Sequence, residues 1–139
     1  MKASILYRIA SVLILLFAAG HTVGFLQIDP KWGVDAMIME MRSVHFDVQG
    51  SNRTYWDFYV GFGLFVTVFL VFSAILAWQL GGVPAGTLAL MRGTAWALVT
   101  CFGALAILSL RYFFVIPLVF SIAIFLCLAA AAWRSARRT

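Results

Sequence analysis

The chain has 139 residues and a net charge of +5; 64% of its residues are hydrophobic and only 11% are charged. Soluble domains carry about 25% charged residues, so this composition excludes an ordinary soluble protein and indicates an integral membrane protein surrounded by lipid. The basic residues are dispersed over the chain and form no stripe beside stacking aromatic side chains, which excludes a nucleic-acid partner.

Four apolar runs predict four membrane-spanning helices, because backbone amides in lipid have no water to bond and must pair within a helix. Each run is long enough to cross a hydrocarbon layer of about 30 Å. The predicted spans are residues 5–26, 58–80, 88–110 and 112–133. The predicted fold class is therefore all-α: one domain over residues 1–139, built as a four-helix membrane bundle with a first outer loop at 27–57.

The first span has a second interpretation as a cleaved signal peptide. Lys2 and Arg8 precede an apolar stretch that is followed by small residues, which is the pattern of such a peptide. The apolar stretch continues through Phe25 and Leu26, so we expect an uncleaved anchor.

Positive charge predicts the orientation, because Lys and Arg in short flanks tend to stay in the cytoplasm. Six basic residues fall on one side of the four-span arrangement: Lys2, Arg8, Arg92, Arg134, Arg137 and Arg138. Four fall on the other side: Lys31, Arg42, Arg53 and Arg111. This difference predicts that both termini are cytoplasmic.

The first outer loop contains every acidic residue of the chain: Asp29, Asp35, Glu40, Asp47 and Asp57. Its apolar residues recur at helical spacing and share one side of a helical wheel: Val34, Met37, Ile38, Met41, Val44, His45 and Val48. This spacing predicts an amphipathic helix that lies on the membrane surface or caps the bundle. His45 lies near the middle of the apolar side and is predicted to point toward lipid or toward the bundle.

Asp57 has two interpretations. Thr54 and Asp57 have the spacing of a helix capping box, and a carboxylate in the first turn of a helix is favoured by the helix dipole. Asp57 also lies at the depth of a second ionisable residue, His21, which is five residues before the end of the first span and roughly 7 to 8 Å inside the apolar layer.

An ionisable side chain at the depth of His21 is expected to face the bundle interior and to have a partner. The candidate partners are Asp57, Tyr55, Tyr59, Arg111 and His45. Arg111 ends the third span on the same side, at the top of a stripe of small residues. Glycines near His21 and Asp57, such as Gly24 and Gly63, would permit close helix packing or leave space for a ligand.

We expect neither a metal nor another cofactor. One of the two histidines lies in a span and the other in a loop, and no repeat of ligands presets a metal or haem site. Cys101 and Cys127 lie in spans without the spacing of a metal or redox motif, so they are interpreted as packing residues.

The stretch from Met41 to Gly63, with Tyr55, Trp56, Asp57 and Phe58 at its centre, resembles a family of small bacterial four-helix membrane proteins with no assigned function. The segment around His21 is also similar to that family. The resemblance implies a bacterial inner membrane and four helices, and it supplies no reaction.

Two functions remain open at this point. In the first, a site near the outer leaflet binds a small lipophilic ligand or substrate through His45, Tyr55, Tyr59 and Arg111. His21 would act there as acid or base, Asp57 would orient it or stabilise its cation, and Arg111 would hold a negative charge. In the second, the protein is a structural or accessory membrane subunit in which His21, Asp57 and Arg111 form a polar clasp without a ligand. A ligand site would have a pocket lined by these side chains, whereas a clasp would not. Small residues on the first and third spans would also fit a homo-oligomer.

Overall fold

A computed structural model describes residues 2–136, and 84% of these are helical. Four helices are long and apolar enough to cross a membrane: α1 (Ala3–Leu26), α3 (Tyr55–Gly82), α5 (Arg92–Tyr112) and α6 (Val115–Ala136). The described chain contains two shorter helices, α2 (Asp35–Ser43) and α4 (Ala85–Leu90), and two strands, β1 (His45–Val48) and β2 (Ser51–Thr54). Arg137 and Arg138, two of the charges in the orientation prediction, lie outside the described residues.

The four predicted spans overlap these four helices, but the ends of the third and fourth differ. Tyr112, predicted to begin the fourth span, ends α5, and α6 begins at Val115. The sequence predicts a span from residue 88, but the helix there is interrupted at Met91, whose φ of −88° and ψ of 15° cap the short α4. The long helix α5 begins only at Arg92. Hydropathy does not separate α4 from α5, because both segments are apolar.

The described residues form two compact units, one made of Ala18–Phe69 and the other of the described residues before and after this segment. The second unit has a core of side chains from four helices, among them Tyr7, Ile14, Leu70, Phe102 and Ile124, all fully buried. Small residues let these helices approach closely. For example, Ser11 donates a hydrogen bond of 2.7 Å to the Ala74 carbonyl.

The Ala18–Phe69 unit contains the end of α1, a short 3-10 turn at Pro30–Trp32, α2, the hairpin and the first half of α3. The strands pair antiparallel, with His45 opposite Thr54 and Val48 opposite Ser51. The two residues between the strands, Gln49 and Gly50, have φ values of 50° and 79°. Positive φ at both positions is the conformation of the two-residue turns that suit the twist of a hairpin.

The hairpin corrects the prediction for the outer loop. An amphipathic helix extending to Val48 was predicted, but α2 ends at Ser43 and His45 lies on a strand. The apolar Val44, Phe46 and Val48 alternate with polar residues, a spacing that also fits a strand, and the following turn allows that strand to pair. The helical prediction for residues 44–48 was therefore wrong.

Candidate functional site

His21 bonds to the backbone of α3. Its Nε2 lies 3.0 Å from the carbonyl oxygen of Gly63, and its ring stacks on Phe25 with centroids 5.1 Å apart. Because a carbonyl oxygen only accepts hydrogen bonds, Nε2 carries the proton and donates it. His21 thus has a polar partner, but this partner is a backbone carbonyl and none of the five side chains proposed from the sequence.

Two more hydrogen bonds join α1 to α3 beside His21. The hydroxyl of Tyr59 donates to the Phe25 carbonyl at 2.8 Å. The hydroxyls of Thr22 and Thr67 lie 2.8 Å apart. We call these three bonds the α1–α3 clasp; it involves His21, Thr22, Phe25, Tyr59, Gly63 and Thr67.

The proton order in the threonine pair follows from the distances. Thr22 donates to the Ala18 carbonyl at 2.8 Å, whereas the distance from the Thr67 hydroxyl to the Gly63 carbonyl is longer, 3.3 Å. Each hydroxyl has one proton to donate. The shorter contacts are satisfied together when Thr67 donates to Thr22 and Thr22 donates to Ala18.

Gly63 brings the two helices together at the centre of the clasp. A Cβ atom at this position would overlap the ring of Phe25. Of the two roles proposed for this glycine from the sequence, Gly63 therefore permits close helix packing, because the Phe25 ring occupies the space in which a ligand could otherwise lie. A Cβ atom at Gly20, Gly24 or Gly61 would meet no neighbouring atom within 4 Å.

Asp57 caps the start of α3. Its Oδ2 accepts a hydrogen bond of 2.9 Å from the Thr54 amide, and its own amide donates to the Thr54 hydroxyl at 3.2 Å. These reciprocal bonds confirm the predicted capping box. No hydrogen bond joins Asp57 to His21 within residues 2–136, because the clasp meets α3 at Gly63, six residues or about 9 Å further along the helix.

His45 lies on the exposed side of the hairpin. Its Nδ1 is 2.8 Å from Oδ1 of Asn52, and Nδ2 of Asn52 donates to Asp47 at 3.3 Å. The prediction for His45 relied on a helix, whereas His45 begins the strand β1, and a strand sends successive side chains to opposite faces. Phe46 takes the inner face and contacts the rings of Tyr55 and Phe58.

The remaining predicted site residues have separate surroundings. Tyr55 is exposed and contacts only the Phe46 ring among the aromatic side chains that the structure describes. Arg111, which belongs to the other compact unit, is exposed and places its guanidinium 5.9 Å from the centre of the Tyr112 ring. Tyr59 is thus the predicted ligand-binding residue that shares a cluster with His21.

A groove of about 250 Å³ runs along the first half of α3. It is lined by Arg53, Asp57, Phe58, Gly61, Phe62 and Phe65. Of the six predicted site residues, all within the described chain, only Asp57 lines this groove. A second depression, of about 270 Å³, lies in the other unit near the start of α1 and the turn before α4, and none of the six lines it.

Sequence reasoning missed the roles of Thr67 and Arg42. Thr67 lies at mid-span, where a hydroxyl has no water to bond, and pairing it with Thr22 would have been a usable signal. Arg42 was considered only as a charge that predicts orientation, yet its guanidinium lies 4.1 Å from the centre of the Trp56 ring. This cation–π contact joins α2 to the first turn of α3.

Within residues 2–136, no three His, Cys, Asp or Glu side chains lie close enough together to hold a metal ion.

Taken together, four apolar helices of membrane-spanning length indicate a multi-pass membrane protein. Comparison of the chain with protein-family models, with characterised proteins and with solved structures finds no match.

Proposed function

We propose that this protein is a structural or accessory protein of the bacterial inner membrane, whose α1–α3 clasp holds an outer segment in place without a ligand. The observation that carries the proposal is the bond between His21 Nε2 and the Gly63 carbonyl, 3.0 Å long. A general acid must present its proton to a substrate, whereas His21 gives this proton to the backbone of a neighbouring helix. The histidine is better suited to fixing helix register.

The outer segment consists of α2 and the hairpin. No residue of α2 is buried, so its apolar side chains need another surface, and the membrane interface is a suitable one. Basic residues at the opposite helix ends, including Arg8 and Arg92, support cytoplasmic termini and an outer location for residues 27–57. The resemblance to small bacterial four-helix membrane proteins supports the same membrane and, with it, membership of that family.

A second candidate function is a site for a small lipophilic ligand in the outer leaflet. The groove along α3 favours it, because Asp57 and Arg53 could bind a polar end while three phenylalanine rings contact an apolar body. The clasp residues would then support the groove only from the opposite side of the helix.

Replacement of His21 separates the two functions. We expect His21→Phe to lower the free energy of unfolding by about 1 kcal/mol and to lower the abundance of the protein in the membrane. His21→Gln is the matched control, because its amide can still donate to the Gly63 carbonyl. Stability is measured by unfolding in mixed micelles.

A different result would contradict the structural function. If His21→Phe is as stable and abundant as the parent protein, and the groove binds lipophilic probes, the ligand site is the correct interpretation.

A further inference from the structure

The outer half of α3 has an exposed face made of one residue type. Phe58, Phe62, Phe65 and Phe69 follow one another at intervals of four, three and four residues, and the spacing continues to Phe72. All five rings are exposed, Phe62 and Phe65 to 64% and 72%. Apolar residues at an average spacing of 3.5 form the contact seam of paired helices that coil around each other.

The groove on α3 has the form that such pairing requires. Phe58, Gly61, Phe62 and Phe65 stand at positions i, i+3, i+4 and i+7, and together they line the hollow of about 250 Å³. Four residues in this arrangement form the hole that receives one side chain of a facing helix. Gly61 leaves the hole open, since a Cβ there would meet nothing within 4 Å.

We infer that this protein associates with a second copy of itself through the phenylalanine face of α3, with a ring of each copy seated in the Gly61 hole of the other. The inference rests on the membrane location proposed above and not on the α1–α3 clasp, whose residues lie on another side of the helix. Two copies inserted by the same topology signals have the same orientation, so their α3 helices would pair in parallel.

The charges at the upper end of the groove fit a second copy. Arg53 and Asp57 line the same hollow, and a two-fold axis would bring the basic residue of each copy toward the acidic residue of the other. Both residues have bonding capacity left: Arg53 donates through Nη1 to the Asn52 carbonyl, and Asp57 accepts through Oδ2. A guanidinium has further N–H groups, and the second carboxylate oxygen can accept them.

The exposed area of the five rings sets the size of the interface that two copies can form. A phenylalanine ring covers about 150 Å² or more when fully buried. With the exposures of these five rings, between 36% and 72%, two copies would remove roughly 800 Å² from lipid, which is the size of a small, weak interface. Lipid would cover any apolar surface and requires neither the 3.5-residue spacing nor a charged pair at its end.

The test measures energy transfer between donor-labelled and acceptor-labelled full-length copies in phosphatidylcholine vesicles, at decreasing protein-to-lipid ratios. We expect the parent protein to form dimers. Phe65→Ala removes a ring of the seam, and Gly61→Ala narrows the hole with a Cβ that meets nothing within 4 Å inside one copy. Each should weaken the association on the order of tenfold.

The control is Leu64→Ala, which removes an exposed apolar side chain turned about 100° from Phe65 around the helix; it should leave the association unchanged. Energy transfer no greater than that of random mixing would overturn the inference, and it is the result expected if only lipid or a lipophilic ligand occupies the groove. Dimers that all three variants leave intact would also overturn it. A protein that does not incorporate into vesicles would contradict the membrane location instead.

Discussion

Gly63 is the residue at which the fold tolerates the least change, because its missing side chain is the space that the Phe25 ring occupies. We expect Gly63→Ala to lower the free energy of unfolding by about 1 to 3 kcal/mol, since overpacking displaces neighbouring side chains. The Phe25 ring has little freedom to move, because it contacts both His21 and Tyr59.

Gly20→Ala is the control for this prediction, because a Cβ at that exposed position meets nothing within 4 Å. Both variants are compared by unfolding in mixed micelles. Equal stability of Gly63→Ala and Gly20→Ala would mean that α1 and α3 are not in close contact at Gly63.

The capping box and the clasp show which residue contacts a sequence can predict. Thr54 and Asp57 are three positions apart, so their reciprocal bonds follow from local helix geometry alone. His21 and Gly63 are 42 positions apart, and the sequence predicts that the histidine has a partner without identifying it. A backbone carbonyl exists at every residue, so composition gives no signal for the one that His21 selects.

The hairpin depends on its turn, and the turn depends on Gly50. Gly50 has a φ of 79°, where a β-branched side chain clashes with the backbone, whereas asparagine tolerates positive φ. We expect Gly50→Val to destabilise the hairpin by about 1 to 2 kcal/mol and Gly50→Asn to have a smaller effect.

The measurement for the turn is hydrogen exchange over residues 45–54, followed by mass spectrometry. Gly50→Val should lose protection there and retain it in the four long helices. Loss of protection throughout the chain would mean that the outer segment and the helices unfold together.

The four long helices could be predicted from the sequence, because an apolar run surrounded by lipid can satisfy its backbone hydrogen bonds only as a helix. The segment from Val34 to Val48 could not, because its apolar residues fit a period of 3.6 up to Met41 and a period of 2 from Val44 onward. The turn at Gln49 and Gly50 allows residues 44–48 to pair as a strand, but the sequence does not indicate that Gln49 has a positive φ.

For the protein as a whole, the proposed orientation predicts which loops are accessible from outside the cell. Single cysteines are introduced by Gln49→Cys in the hairpin turn or Gly86→Cys in α4, with Cys101 and Cys127 replaced by alanine. Both positions are exposed. A membrane-impermeant maleimide should label Gln49→Cys in intact spheroplasts. It should label Gly86→Cys only after the membrane is permeabilised, because the basic residues near the termini and α4 keep that side of the protein in the cytoplasm. The reverse pattern would invert the orientation.

The lengths of the helices have a consequence for the bilayer itself. With 28 residues, α3 extends over about 42 Å, whereas a hydrocarbon core measures about 30 Å and α5, with 21 residues, is about 32 Å long. A bilayer that fits α5 leaves α3 too long, so α3 must tilt or carry its first turns into the headgroup layer. Thickening the bilayer would draw the Trp56 turn into the acyl chains and thinning it would increase the tilt, so this chain should distribute between membranes according to their thickness.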